Sequence, residues 1–356
     1  MKPARVGRSI PFELGFRMPA EWETHSATWL AWPHEKTDWP GKFAPIPWVY
    51  ADIVRNLSQV ERVRILVGDA GAERSVRRIL KQAGANLSAV DFFHVSTNRG
   101  WIRDFGPIFV GNSKGETAVT NWHFNAWAKY DDWKKDDAAN SKLATKLKWN
   151  MWDPEYRRRR VVLEGGSIEV NGLGTMLTTE ECLLSSVQAR NPGLSRNDLS
   201  QIFRRYLGVT RVLWLKKGIA GDDTHGHIDD LARFVNPDTV IISVEDDPSE
   251  VNYQPLQENL ALLREMKDQD ARALRVETLP MPDPIYFDGQ RLPASYANFY
   301  IANQMVLVPT FNDPHDALAL TKLAELFSDR KVIGIACLDL VLGLGTIHCM
   351  TQQEPA

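Results

Sequence analysis

Apolar positions along this chain fall into two rhythms. Short runs rich in β-branched and aromatic residues, closed by Gly, Pro, Asn or Asp, predict strands. Longer stretches with apolar residues three and four apart predict helices. Residues 27–32, Ala-Thr-Trp-Leu-Ala-Trp ahead of Pro33, predict a strand. Residues 51–61 predict an amphipathic helix, 63–67 a strand, 72–83 a second helix closed by Gly84 at its C-cap, and 90–95 another strand.

A pattern then repeats. Segments 107–110 and 117–120 form a hairpin signature across 111–115, and 167–170 and 175–178 form one across Asn171-Gly172, the strongest short hairpin signal. The pairs 231–235 with 240–244 and 298–301 with 305–308 follow the same plan. Helical stretches at 196–206, 253–266 and 314–327 stand between or after them, and strands at 212–215 and 332–335 follow helices. Cys349 begins what would be a fifth hairpin, with no downstream partner; pairing with the strand near 27–31 would close a ring. Such self-similarity predicts a repeat architecture, and closure removes exposed sheet edges. The expectation is one pseudo-symmetric α/β domain over residues 1–356.

Composition narrows the function classes. With 44% hydrophobic residues over 356 positions, the chain has ample material for a large core. The net charge of -3 leaves no electrostatic footprint for nucleic acid, and no apolar run is long enough to span a bilayer. The basic start, Lys2 to Arg8, has no apolar segment behind it, so no secretory signal is expected. Cys182, Cys337 and Cys349 lie far apart, which fits a reducing compartment rather than a disulfide framework, and a cytoplasmic enzyme is the expectation. Trp39, Trp101 and Trp127 fall in turns, where exposed aromatics often line small-molecule sites.

Chemistry-bearing residues recur at the same point of each repeat, just before or at the first hairpin strand. They are Asp104 before Gly106-Pro107, Glu164 before Gly165-Gly166, the run His225-Gly226-His227-Ile228-Asp229, Asn298, and finally His348-Cys349. Equivalent points of a closed ring face a common axis, so these groups would meet. Two chemistries compete. His225, His227 and Asp229 alternate along a strand and would offer enough ligands for zinc or iron. A cysteine with a histidine and several carboxylates suits nucleophilic attack on a cation better. Glycine and polar neighbours suggest that the Cys349 thiol is presented rather than buried, against the usual tendency of free cysteine.

The motifs Trp101-Ile102-Arg103-Asp104-Phe105-Gly106-Pro107, Leu163-Glu164-Gly165-Gly166-Ser167, Gly226-His227-Ile228-Asp229-Asp230 and Ile347-His348-Cys349-Met350-Thr351-Gln352-Gln353 resemble those of the agmatine deiminase family. So do Met18 to Trp22 and Phe124 to Trp127. This family lies within the guanidine-modifying superfamily, close to the bacterial peptidyl-arginine deiminases, and the resemblance runs in order over nearly the whole chain. It implies a five-bladed α/β propeller (pentein), with Cys349 as nucleophile, His227 as general acid and base, and Glu164 orienting His227. It places Asp104 and Asp229 on the substrate guanidinium, with Trp101, Trp127 and Asn298 in the substrate site and Asp223 toward the amine end of agmatine. The implied reaction is hydrolytic deimination of agmatine to N-carbamoylputrescine and ammonia, which serves putrescine formation. Peptidyl-arginine is the alternative substrate. No cofactor, metal, nucleic acid or membrane is implied, and a homo-oligomer is compatible with the resemblance. Three departures bear on substrate choice. His225 stands where relatives usually have Asn or Asp, no Gly-Gly follows Trp127, and Leu344 stands where relatives tend to have glycine.

The physical reasons stand beside the resemblance. A guanidinium remains protonated and presents planar N–H forks that carboxylates match. Holding it away from water requires matching negative charge. Those same acids raise the pKa of a nearby thiol until a cation arrives to offset them. Free arginine would want a cation for its carboxylate, for which Arg99 and Arg103 are candidates. The ammonium of agmatine instead wants acids and aromatic faces, which Asp222, Asp223, Trp101 and Trp127 supply.

Overall fold

Strand His25–Ala31 lies between two partners, parallel to Arg62–Val67 and antiparallel to Gln352–Pro355, so that Thr28 faces Val63 on one side and Gln353 on the other. Val90–His94 extends this sheet beyond Arg62–Val67. The expected pairing of the last strand with the first is therefore present. This computed structural model describes residues 9–356; the basic start, Lys2 to Arg8, lies outside the described residues.

All four expected hairpins form, and each gains a third strand parallel to its second. Ile108–Gly111 pairs with Thr117–Thr120, which takes Met151–Trp152. Glu169–Val170 pairs with Thr175–Thr179, which takes Arg211–Leu215. Ala232–Phe234, Thr239–Val244 and Arg275–Pro280 make the next sheet, and Tyr300–Ile301, Met305–Thr310 and Lys331–Ala336 the last. Parallel neighbours cannot be joined by a tight turn, so each needs a crossover. Helices Ala139–Leu147, Arg196–Leu207, Tyr253–Glu265 and Asp316–Leu326 supply these crossovers.

Local chemistry explains the helix ends. Arg196–Leu207 begins at Ser195, whose hydroxyl accepts from the Asp198 N–H while the Asp198 carboxylate accepts from the Ser195 N–H, and it ends at Gly208 with φ of 72°. Its buried face is Leu199, Ile202, Phe203, Tyr206 and Leu207. The helix expected over 51–61 instead covers Ile46–Leu57, because Pro47 sits in its first turn, where a missing N–H is harmless. Helices Lys134–Asp137 and Ala139–Leu147 and strands Met151–Trp152 and Arg275–Pro280 were not expected. No helix among the described residues is long and apolar enough to cross a membrane.

Candidate active site

The candidate residues Asp104, Glu164, His227, Asp229 and Cys349 sit in, or immediately before, four short helical turns: Ile102–Phe105, Gly165–Ser167, Ile228–Asp230 and His348–Met350. All of their residues are buried. This corrects the expectation that His225, His227 and Asp229 alternate on a strand. His227 is the residue before its turn, and His225 sits at φ of 64° with its Nε2 3.1 Å from Ser185 Oγ. The left-handed backbone at His225 and the turn after His227 break the period of two, so the three never form one ligand set.

His227 is surrounded by acids. Its Nδ1 lies 3.7 Å from Asp104 Oδ1 and 3.9 Å from Asp229 Oδ1, and its Nε2 lies 3.7 Å from Glu164 Oε2. These are ion-pair distances, longer than hydrogen bonds. Burial alone would strip the imidazole of its proton. Asp104, the Cys182 thiol and Glu164 outweigh it and lift His227 well above the ordinary value. Gly166 makes the close approach feasible. A Cβ there would stand 2.6 Å from His227 Nδ1 and 2.8 Å from Asp104 Oδ1, while its N–H donates to Asp104 Oδ1 at 3.1 Å.

Each acid is held by a different partner. Asp104 Oδ2 accepts from Trp127 Nε1 at 2.8 Å, and burial, joined by the charges of Asp229 and Glu164, pushes its carboxyl up to about 6 against the pull of His227. Glu164 is fully buried with Arg190, whose Nε donates to Oε1 at 3.1 Å. Burial would raise Glu164, but Arg190 and His227 bring it down to about 2. Asp229 Oδ2 meets His348 Nδ1 at 2.7 Å, and His348 Nε2 meets Glu21 Oε2 at 2.8 Å. That contact keeps Asp229 below the usual carboxylate value in spite of burial.

Cys349 is 6% exposed, so the thiol is buried rather than presented; it nevertheless lines a cavity. Its Sγ is 3.8 Å from Asp229 Oδ2 and receives the Asn298 amide at 3.1 Å. Asn298 also donates to Asp230 at 2.9 Å and accepts from Thr346 Oγ1 and the His348 N–H. Its polar atoms are thus committed to holding the cysteine turn, rather than free for substrate as expected. Burial, then Asp229, Asp230 and Asp104, push the Cys349 thiol well above its usual range.

A cavity of about 260 Å³ reaches Cys349 and Asp104. His227, Asp229 and Glu164 lie beyond its lining, fully buried beside those two residues. Trp101, Trp127 and Tyr130 wall the cavity. The expected exposed tryptophans are buried: Trp39 packs 5.3 Å from Trp101, and Trp101 Nε1 donates to Asp38 at 3.1 Å. Asp223 and Arg99, both partly exposed, complete the solvent side. Arg103 is turned away, donating to His348 O at 3.2 Å and Gln353 Oε1 at 2.7 Å. Arg99 is paired with Asp38 and Asp132.

Glu164, Cys182 and His227 offer ligand atoms within 4.8 Å of one another, as do Asp229, Asp230 and Cys349. Arg190 already places a cation on the first set, and Asn298 engages two members of the second. The arrangement better fits a thiol facing a cation-binding pair of acids. Glu21 and Arg190 were missed as site residues, and His348, placed at the axis from sequence, was given no role there. Glu21 and His348 lie inside recognised motifs, whereas nothing local marks Arg190.

A family model described as Porphyromonas-type peptidyl-arginine deiminase matches residues 17–355. The agmatine deiminase of Pseudomonas aeruginosa (strain LESB58) is 36% identical over 98% of both chains. The solved agmatine deiminase of Enterococcus faecalis superposes with a TM-score of 0.89 at 34% identity, covering 99% of both chains. An agmatine deiminase of C. jejuni with substrate bound superposes at 0.85 with 31% identity over 96% of each. The fold is that of mixed α/β relatives along its whole length, and the chain belongs to the agmatine deiminase family, hydrolases of a guanidine C–N bond.

Proposed function

We propose that this protein deiminates agmatine to N-carbamoylputrescine and ammonia through a covalent intermediate on Cys349. The observation that carries this reading is the convergence of Asp104, Asp229, His227 and Cys349 from three separate turns at the inner end of a cavity that Asp104 and Cys349 line. Asp104 and Asp229 grip the guanidinium edge-on, leaving its central carbon open to the thiolate. Sulfur attacks that carbon, the C–N bond breaks, and His227 gives its proton to the departing ammonia. An S-alkylthiouronium remains. His227 then takes a proton from water, which adds to the carbon; the C–S bond breaks, returning the thiol and the ureido product. Glu164 holds His227 in place and is itself held by Arg190. No metal or cofactor is required for these steps.

Five sheets that share one strand pattern, each with an antiparallel pair and a parallel third strand, support a single five-bladed α/β propeller over the described residues 9–356. The solved relatives and the pairing of the last strand with the first favour that arrangement. A reducing, cytoplasmic setting accords with three dispersed free cysteines, and the N-carbamoylputrescine produced would feed putrescine formation. Agmatine is favoured over free arginine because neither Arg103 nor Arg99 is available for an α-carboxylate. It is favoured over peptidyl-arginine because the cavity is small and walled by aromatics. Ammonia release from agmatine, free arginine and an arginine-containing peptide, compared at equal concentration, tests the reading. Agmatine should dominate, and a preference for the peptide would replace it.

A further inference from the structure

We infer that Lys129 tunes which guanidines this enzyme accepts, by occupying Asp223 so that a substrate carrying a terminal ammonium must displace a resident one. The inference rests on the agmatine reading. Lys129 Nζ pairs with Asp223 Oδ1, and Tyr130 Oη donates to Asp223 Oδ2 at 2.8 Å. Both carboxylate oxygens therefore already have a partner. The neighbouring acids are equally engaged: Asp38 and Asp132 both pair with Arg99, whose guanidinium lies 4.7 Å from the Tyr130 ring. An ammonium arriving at this end of the cavity meets three acids that already share two cations of the protein, and the one at Asp223 is Lys129.

The segment that brings Lys129 here is itself unusual. Ala126, Trp127 and Ala128 stand at φ of 50°, 58° and 53°, three successive left-handed residues without a glycine. They are held by the Asn125 side chain, which accepts from the Ala128 N–H at 3.0 Å, and by the Gln188 amide, which donates to Trp127 O at 3.2 Å and Asp223 O at 3.1 Å. One strained turn thus places Trp127 on Asp104 and, in the next two residues, Lys129 and Tyr130 on Asp223. The Lys129 side chain is 41% exposed, against 16% for Asp223. It can swing into water while Asp223 stays in place for the incoming ammonium. Exchanging one ammonium for another gains little, so the dication agmatine loses most of what Asp223 would otherwise contribute. A monocation such as n-butylguanidine needs no exchange.

Steady-state ammonia release from agmatine and from n-butylguanidine tests this with the wild-type enzyme, Lys129→Met and Lys129→Arg. A partly exposed ion pair of this kind predicts that Lys129→Met raises the agmatine-to-butylguanidine ratio of kcat/KM by about two- to fivefold, through the KM for agmatine. Lys129→Arg, which keeps the charge, should hold the wild-type ratio. A ratio that is unmoved or lowered in Lys129→Met, or equally raised in Lys129→Arg, overturns the inference while leaving agmatine as substrate. A wild-type enzyme that releases ammonia from neither compound removes the agmatine reading and the inference together.

Discussion

Asp104 and Asp229 flank the same imidazole, yet their environments pull them apart. Asp229 is kept ionised by His348, while Asp104, with only hydrogen-bond donors and a shared imidazole, is raised from 3.8 to about 6. Replacing either with asparagine removes one of the two carboxylates proposed to hold the guanidinium. Asp104→Asn or Asp229→Asn should lower kcat/KM by the equivalent of about 2–5 kcal/mol, measured by steady-state kinetics on agmatine; a loss below about tenfold would take that residue out of the guanidinium site. Stability should move the other way at Asp104. Folded Asp104 holds its proton more tightly than unfolded, so its ionisation lowers stability as pH rises from 3.8 to about 6. Asp104→Asn should therefore melt higher than wild type above pH 6, and lose that advantage as pH falls through the unfolded value. Glu164 has the opposite sign. Its depressed value contributes stability above 4.5 that is lost as pH falls toward about 2, so thermal scans of Glu164→Gln should show a deficit at neutral pH that closes in acid.

At the scale of elements, the last strand positions Cys349, the proposed nucleophile. Gln352 faces Trp29, three residues beyond Cys349, so the register of this pairing sets where the cysteine turn falls. Glu354 clamps that register, accepting from Trp29 Nε1 at 2.7 Å and pairing with Arg64. Glu354→Ala leaves the buried indole N–H without its acceptor and should lower unfolding free energy by about 1–3 kcal/mol, read by urea titration; an unchanged midpoint would mean the strand is held by its backbone bonds alone. The hairpins were legible because Asn171-Gly172 and its counterparts impose turn geometry on neighbours in sequence. The crossover around 134–147 was not. Lys134-Lys135-Asp136-Asp137 carries no apolar period, and its helix is held by contacts such as Asp136 accepting the Asn98 N–H at 2.6 Å, which lie far off in sequence.

Over the whole molecule, the site gathers acids that different sheets contribute, and the thiol answers to all of them. Burial and the charges of Asp229, Asp230 and Asp104 hold Cys349 protonated in the empty enzyme. A guanidinium bound between Asp104 and Asp229 offsets those charges, so substrate should assist formation of its own attacking thiolate. Thiolate absorbance followed against pH, with and without a non-reactive guanidinium ligand, should show the titration moving to lower pH when the ligand is present; an immobile titration would reject substrate assistance.

Several residues were legible as chemistry before any fold was known. Cys349, His227, Asp104, Asp229 and Glu164 stand at matching points of a repeat, and repetition along a chain is a local property that survives without contacts. What the chain alone determined was therefore the set of candidate site residues and the hairpins that space them. Tertiary packing decided the rest. Asn298 holds the cysteine turn, His225 points to Ser185, Arg190 steadies Glu164, and Glu21 reaches Asp229 through His348. Each of these depends on distances between segments far apart in sequence. In a buried site it is those distances, through desolvation and Coulomb interaction, that fix which group carries the proton.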